Sequence, residues 1–547
     1  MLKDRTTHFV FALLLILVMG TVSFASLSAN QRQSSSGTWS ETINLSNSYV
    51  NELKKTADGG YVIAMEAVIN SYDTVVVKLD QAGQPQWEKA FGGLSHDYGF
   101  DVIETYDGNF IIAGMTLSYG TGDRSAWVFK LDAGGDLLWD RVFTSLDTDE
   151  SPTVLETSTG NYVLVGHTRG VNPLKWDLFL VGLDQDGSKL FEKAIGTTDE
   201  NEFGYAAIIT SNDEIVIATG GSGNLVAIKT DVLGNIVWHK EYTAASSGII
   251  YGLTELNSGY ALVGESNIAG DYDLLVARLT DEGDIIWGNR YGTVNSDDHG
   301  YDIAADDNDN LYVVGSTKPT EEYDSSVLLK LDANGSILWQ KIMGGNMRDA
   351  FNSVIYDEQT STITVAGETA SFGGPGRKAW ISNLDSFGNL DTCNLELPID
   401  FIVQDAGLIE SPKTLIEQDP NFSESSPGEI GNVLNIAPEY LCEPPTPTPT
   451  PTLPMCSIDL QVVNNPENIT LSYIISNTLG PVIWENTVVI QGSTAEIFNR
   501  DLPNFNDTVG PITIHLDNLG SILLTTSLST ATGGVQCFDT ELINTDE

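Results

Sequence analysis

Between Trp39 and Asn394 a unit of about fifty residues occurs seven times. Its clearest element runs Leu-Asp, two residues, Gly, three residues, Trp, as in Leu79-Asp80-Gly83-Trp87, Leu131-Asp132-Gly135-Trp139 and Leu331-Asp332-Gly335-Trp339. Looser copies hold Leu183, Asp184, Gly187 and Phe191, then Asp231, Gly234 and Trp238, then Leu279, Gly283 and Trp287, and last Leu384, Asp385 and Gly388. From Trp87 the aromatic position recurs after 52, 52, 47, 49 and 52 residues. A unit this short cannot bury its own apolar face, so a period this regular demands that units stack.

The second copy shows the elements of one unit. Phe100–Thr105, Phe110–Gly114, Ala126–Leu131 and Leu137–Phe143 alternate aromatic or β-branched residues with polar ones, and Asp-Gly or Gly-Gly turns join them. These are hairpin signals. Four antiparallel strands repeated seven times predict an all-β fold, a seven-bladed β-propeller over residues 30–394. A stacked solenoid is the rival, but solenoids need distinct caps, whereas this array can close on itself. The segment Trp39-Ser-Glu-Thr-Ile resembles the outer-strand segment Trp87-Glu-Lys-Ala-Phe and precedes the first complete unit. It can therefore complete the last blade from the N-terminus, in competition with Asn389–Asn394; Trp39 supplies the aromatic residue that the last copy lacks. Trp39, Trp87, Trp139, Trp238, Trp287 and Trp339 are expected to pack between neighbouring blades.

The ends of the chain bound where it acts. Lys3 and Arg5 precede an apolar run from Phe9 to Met19, followed by small residues at Ser23, Ala25, Ser26 and Ala29. That pattern predicts a signal peptide over residues 1–29, Sec-type export, and a secreted or cell-surface protein. Four cysteines in an exported chain favour disulfides. Three pairings are possible, and Cys393 with Cys442 and Cys456 with Cys537 is the one that keeps two domains apart across the Pro-Thr run of residues 444–454. That run is a polyproline II spacer. Residues 395–443 lack the repeat and are expected to form a propeller-associated tail held by the first disulfide. Residues 455–547 contain several alternating runs and are expected to form a small β-sandwich.

With 75 acidic and 26 basic side chains the formal charge is −49, which disfavours nucleic acid and anionic membrane surfaces as partners. Acidic residues recur in the loops that lead from one blade into the next: Asp97, Asp149, Glu200 or Glu202, Asp298 and Asp349. Converging on the channel they would form a metal site, with calcium the possible ion; otherwise each caps its own turn. Asp306-Asp307-Asn308-Asp309-Asn310 alternates carboxylates as a calcium loop does, but lacks a Glu at the twelfth position and reads as a hairpin turn. No motif for catalysis stands out: five His remain beyond the leader (His96, His167, His239, His299 and His515), with no Gly-x-Ser-x-Gly and no His-Glu-x-x-His. No catalytic residue and no cofactor is assigned.

The Leu-Asp-x-x-Gly-x-x-x-Trp element resembles the repeat of quinoprotein-type propellers, whose dehydrogenases hold a pyrroloquinoline quinone against adjacent cysteines with calcium. This chain has no Cys-Cys pair, so the resemblance transfers no active site. With its Asp-Gly-Gly-Tyr units, Pro-Thr linker and small β domain, the chain is more similar to exported bacterial propeller-repeat proteins. That resemblance implies an extracellular binding or surface protein. The long loops after the second and fourth strands of each unit all emerge on one side, and loops on a rigid scaffold are where binding residues accumulate. The expectation is a non-catalytic module recognising a glycan, peptide or protein through that face. The alternatives are an enzyme acting on extracellular polysaccharide or quinoprotein-like in chemistry, and a structural scaffold.

Overall fold

Short strands with alternating apolar residues form sheets whose two faces both need covering, and the blades of a propeller cover one another. The computed structural model describes residues 38–390, apart from short stretches of the long loops, together with the strands of 396–442 and those between 456 and 544. The expected signal peptide, the Pro-Thr spacer and Cys393 lie outside the described residues, as do the side chains of Cys442, Cys456 and Cys537. The chain divides into two units between Pro444 and Pro445.

In the first unit, blade 1 runs from channel to rim as Tyr49–Lys55, Tyr61–Val68, Tyr72–Leu79 and Pro85–Phe91, all antiparallel. Blades 2 to 6 repeat the order from inner strands at Asp97–Glu104, Asp149–Glu156, Phe203–Ile209, Gly248–Glu255 and Asp298–Ala305. Blade 7 takes three strands from Asp349–Asp357, Thr362–Thr369 and Lys378–Leu384. Its fourth is Trp39–Ile43, in register from Trp39↔Asn383 to Ile43↔Ala379. The N-terminal segment thus closes the ring, and Asn389 sits in the turn after Leu384, where its carbonyl accepts from Asp385 N. The core is shared out among the interfaces: between blades 1 and 2, for example, Val62, Val76, Phe91, Val102, Ile112, Trp127 and Phe129 are buried in one cluster.

Each part of the repeat motif has a task at an interface. The Asp caps the turn between third and outer strands: Asp132 Oδ1 accepts from Gly134 N at 2.9 Å and Asp136 N at 2.8 Å. Where blade 5 lacks the Asp, Thr280 Oγ1 accepts from Asp284 N at 3.1 Å instead. The Gly turns with φ of 79° at Gly135 and 78° at Gly187, a region that a side chain enters at a cost. The Trp of the preceding blade lies on that Gly. A Cβ placed on Gly135 would fall 2.8 Å from the Trp87 ring, and one on Gly187 2.8 Å from Trp139. The indole N–H donates to the carbonyl two residues before the Gly, Trp87 to Ala133 at 2.9 Å and Trp139 to Gln185, Trp238 to Asp281 and Trp287 to Ala333 at 3.0 Å. A fixed spacing in the sequence is therefore a fixed contact between successive blades.

Much of the acidity is spent on backbone N–H groups. On the short-turn face, the turns after the inner strands of blades 2 to 5 each donate to a carboxylate of the next blade: Tyr106 N to Glu156 at 2.8 Å, Ser158 N to Asp213 at 2.8 Å, Ser211 N to Glu255 at 2.9 Å and Asn257 N to Asp309 at 2.9 Å. Charge-assisted bonds of this kind tie blade to blade.

The tail adds an element to every blade. It runs around the outside in reverse order, with Glu396–Leu397 on blade 6, Ile402–Asp405 on blade 5, Ile409–Ser411 on blade 4, Ile416–Gln418 on blade 3, Ser423–Ser425 on blade 2, Asn432–Val433 on blade 1 and Pro438–Cys442 on blade 7. Each four-stranded blade becomes a five-stranded sheet, and part of the open edge of its outer strand is paired. Phe401 is buried in the cluster between blades 5 and 6, and Leu408 packs on the cluster between blades 4 and 5. The sequence predicts a propeller-associated tail held by a Cys393–Cys442 disulfide, whose sulfurs lie outside the described residues; the described strands of the tail form a belt around all seven blades.

The second unit holds two antiparallel sheets. Cys456–Asn465, Asn468–Asn477 and Trp484–Ile490 form one; Thr494–Ile497, Asp507–Val509, Ile512–Leu516, Ser521–Thr530 and Val535–Asn544 form the other.

Candidate functional site

In all seven inner strands the ladder slips by an extra residue, at Val50/Glu52, Gly99/Asp101, Glu150/Thr153, Phe203/Ala206, Ile250/Gly252, Gly300/Asp302 and Phe351/Ser353. A bulge bends the strand and re-aims side chains. Glycine on the neighbouring strand makes room for it: a Cβ on Gly114 would lie 1.8 Å from the Tyr98 carbonyl oxygen. Three tiers of residues follow from the long-loop mouth inward.

The outermost tier is Tyr49, Tyr98, Glu150, Phe203, Ile249, His299 and Ala350, one per blade. At the bulge stand Asn51, Phe100, Tyr205, Tyr251, Tyr301 and Asn352, in blades 1, 2 and 4 to 7. Tyr98 stacks with Phe100 at 6.2 Å and Phe203 with Tyr205 at 5.7 Å. Tyr205 meets Tyr251 at 5.7 Å, Tyr251 meets Tyr301 at 5.9 Å, and Tyr301 stacks on His299 at 6.1 Å. An arc of half-buried rings therefore lines blades 4 to 6, with a second stack on blade 2.

Charged groups sit beside these rings, each held from behind. Glu368 accepts from Arg348 Nε at 2.7 Å and from Arg377 Nη1 at 2.8 Å. The Arg377 guanidinium lies 5.1 Å from the Tyr49 ring centroid. Arg124 pairs with Glu150, which also lies 3.4 Å from His167 Nε2. Burial opposes ionisation of Glu150, yet the bonds and charge of His167 and Arg124 outweigh it and hold the carboxyl below its ordinary range. Among the described residues no cation pairs with Glu66, and Arg377 acts on it through its charge alone. Burial pushes it up to about 7, although Tyr49 O–H and Asn51 Nδ2–H both donate to it. His299 Nδ1 lies 2.5 Å from Glu265; burial pulls the imidazole pKa down, but Glu265 more than offsets that and raises it.

Deeper in the channel the residues after the bulge join blades. Asp101 accepts from Val154 N at 2.9 Å, Asp302 from Val354 N at 2.8 Å, and Asn51 Nδ2 donates to the Gly99 carbonyl at 2.8 Å. Lys54, paired with Glu52 at 3.1 Å, feels the charges of both aspartates. Burial drives Asp101 and Asp302 above the ordinary carboxylate range, with Lys54 opposing and Glu52 reinforcing that shift. These groups bond neighbouring inner strands to one another.

The acidic residues singled out in the loops occupy the start of the inner strands and serve their own turns. Asp97 Oδ2 accepts from Gly93 N at 2.7 Å and Ser118 Oγ at 2.6 Å, Asp149 Oδ2 from Ser145 N at 2.6 Å, Asp298 Oδ2 from Thr293 N at 2.7 Å, and Asp349 Oδ2 from Gly345 N at 2.8 Å and Ser371 Oγ at 2.7 Å. Glu202 likewise accepts from Thr197 N at 3.2 Å. Among the described residues no three His, Cys, Asp or Glu side chains gather as a metal ion requires. Asp306 closes a hairpin turn, accepting from Asn308 N at 3.0 Å and Asn310 N at 2.9 Å.

Sequence reasoning missed the mouth residues themselves. The signal was available, because aligning the repeats on the acid that opens the inner strand (Asp97, Glu202, Asp298) places Tyr98, Phe203 and His299 in one column and Phe100, Tyr205 and Tyr301 in another, with Tyr49 after Ser48 and Tyr251 after Gly248 at the equivalent positions. What the alignment lacks is the contact between blades that joins these rings into one group.

Comparison with known proteins adds to the fold and not to the site. The beta-propeller repeat family SBBP matches residues 286–318. No curated protein matches the chain. Among solved structures it is similar to the β-propeller domain of the Trilobed protease from Pyrococcus furiosus, at 10% identity and a TM-score of 0.36, over 61% of this chain and 93% of that one. It is also similar to the polysaccharide lyase Uly1, at 8% identity and a TM-score of 0.39, over 61% and 90%. Prolyl oligopeptidase B from Galerina marginata aligns at 10% identity and a TM-score of 0.39, over 80% of this chain but 56% of its own length. At these scores none of the three bears on function. The first unit folds as a seven-bladed β-propeller, within which one stretch matches the beta-propeller repeat model.

Proposed function

We propose that the protein is an exported, non-catalytic binding module that recognises a glycan, peptide or protein at the long-loop mouth of its propeller. The observation that carries this reading is the arc Phe203, Tyr205, Tyr251, Tyr301 and His299, ring against ring and half-buried at equivalent positions of successive inner strands. Other large aromatics of the repeat, such as Trp127, Phe129, Trp380 and Tyr312, are buried in the interfaces, and the half-buried Trp87, Trp139, Trp238 and Trp287 are held by their indole N–H bonds to the next blade. Rings left partly open on rigid strands offer flat apolar faces at little entropic cost, and several weak contacts at once give useful affinity.

A glycan array and a peptide array probed with the mature chain test the reading. Binding is expected to fall at least tenfold in Tyr251→Ala and Tyr301→Ala, with the melting point otherwise little changed. Binding that survives both substitutions would place the site elsewhere. The contact of Glu265 with His299, beside Tyr251 and Tyr301, favours one second reading, in which the same mouth moves protons on a bound polysaccharide. Release of new reducing ends from an array hit, abolished in His299→Gln, would establish that reading in place of the first.

A further inference from the structure

We infer that the mouth selects a ligand bearing carboxylates, an acidic saccharide of the uronic acid type; the inference rests on the mouth being a binding site. The charges at the mouth are unusual for this chain. Bases are outnumbered by acids almost three to one, 26 against 75, yet Arg124, Arg348 and Arg377 all sit at one mouth. Each is anchored on a glutamate that is nearly out of solvent: Glu368 is 5% exposed and Glu150 13%, while Arg348 and Arg124 keep 50% of their side chains accessible and Arg377 keeps 39%.

This arrangement fixes the plane of a guanidinium without using all of its donors. Arg124 has one Nη on Glu150, Arg377 one Nη on Glu368 and a further bond to Tyr72, and Arg348 its Nε on Glu368 with an Nη 3.5 Å from Asp324. Five N–H groups in a rigid fork leave donors on the outer edge, and a carboxylate fits two of them side by side. One fork has a ring against it: the Arg377 guanidinium lies 5.1 Å from the Tyr49 ring centroid. The charges of Arg124 and Arg348 reach the tyrosines of the mouth, Arg124 acting on Tyr98 and Tyr205 and Arg348 on Tyr301. A pyranose ring carrying a carboxylate presents an apolar face and an anionic edge, which is what a ring beside a fork accommodates. The acidic remainder of the surface does not forbid this, because at physiological salt charges more than about 8 Å apart are largely screened.

Isothermal titration of the full mature chain with tetragalacturonate and with its fully methyl-esterified counterpart tests the inference. The ester keeps the rings and removes the negative charges. The acid is expected to bind at least tenfold tighter than the ester, and Arg348→Ala and Arg124→Ala to lose that preference. Because removal of an arginine strands a buried glutamate, Arg348→Lys and Arg124→Lys serve as folded controls that keep the charge and lose the fork; they too are expected to lose most of the preference. Equal binding of acid and ester, or a preference that survives the lysine variants, overturns the acidic-ligand inference while leaving the mouth as a site. If neither saccharide binds but an array ligand does so in a Tyr251-dependent way, the inference again falls alone. If nothing binds in a manner that depends on Tyr251 or Tyr301, both readings fall together.

Discussion

Gly108 and Gly135 allow the contact between repeats to be weighed by itself. Both close two-strand turns in blade 2, with φ of 75° and 79°, and each N–H donates three residues back, Gly108 to Thr105 at 2.8 Å and Gly135 to Asp132 at 2.9 Å. They differ in what a side chain would meet. A Cβ on Gly108 has nothing within 4 Å, whereas one on Gly135 falls 2.8 Å from Trp87 Cε3. Gly108→Ala should cost only the left-handed backbone, about 1–2 kcal/mol. Gly135→Ala adds the displacement of a packed indole, about 1–3 kcal/mol, and weakens the Trp87 bond to Ala133, about 1 kcal/mol. At about 2.1 cal/mol/K per residue, a cooperative unit of roughly 400 residues loses about 1.2 °C of melting temperature per kcal/mol. Calorimetry should therefore show a fall of about 1–2 °C for Gly108→Ala and about 3–7 °C for Gly135→Ala. In a Trp87→Ala background the two glycine substitutions should become alike. Equal shifts in the native background would refute the claim that the motif works as an inter-blade contact.

Three further outcomes follow from the same geometry. Glu66 has a folded pKa of about 7 against 4.5 for the free side chain, so its contribution is intact below about pH 4.5 and is lost as pH rises through 7; Glu66→Gln should raise the melting point by about 1–4 °C at pH 8 and leave it unchanged at pH 4, and a flat difference between the two would count against the buried carboxyl. Glu41, fully buried in the closing strand with both carboxyl oxygens lacking a hydrogen-bond partner among the described residues, is pushed up by burial and by the charge of Asp80, and Glu41→Gln should likewise stabilise at pH 8 and not at pH 4. A chain ending after Asn394 should melt lower than one ending after Pro444 and should elute from a sizing column as larger species, since all seven outer strands lose their fifth partner; identical behaviour would make the belt dispensable.

The sequence by itself determined the number of blades, their strand order and the way they close, because these depend on short-range facts: period-two alternation, Gly at turns that need positive φ, and a Trp at constant distance from the next Gly. Leu131-Asp132-Gly135-Trp139 could be read without coordinates because three of its tasks lie within one turn and the fourth repeats in every unit. The charge of −49 was legible as a number, but its use was not. Only the tertiary structure shows that Glu156, Asp213 and Glu255 accept from the turns of preceding blades, since each bond spans 44 to 55 residues and depends on the angle between blades. The belt was invisible for a related reason: its strands are two to five residues long and carry no periodicity, and they become strands only where an outer edge already exists to pair with. The mouth was decided last of all. Tyr205, Tyr251 and Tyr301 look like core aromatics in a list of residues, and only the tertiary structure sets them at the bulges of successive inner strands, ring beside ring.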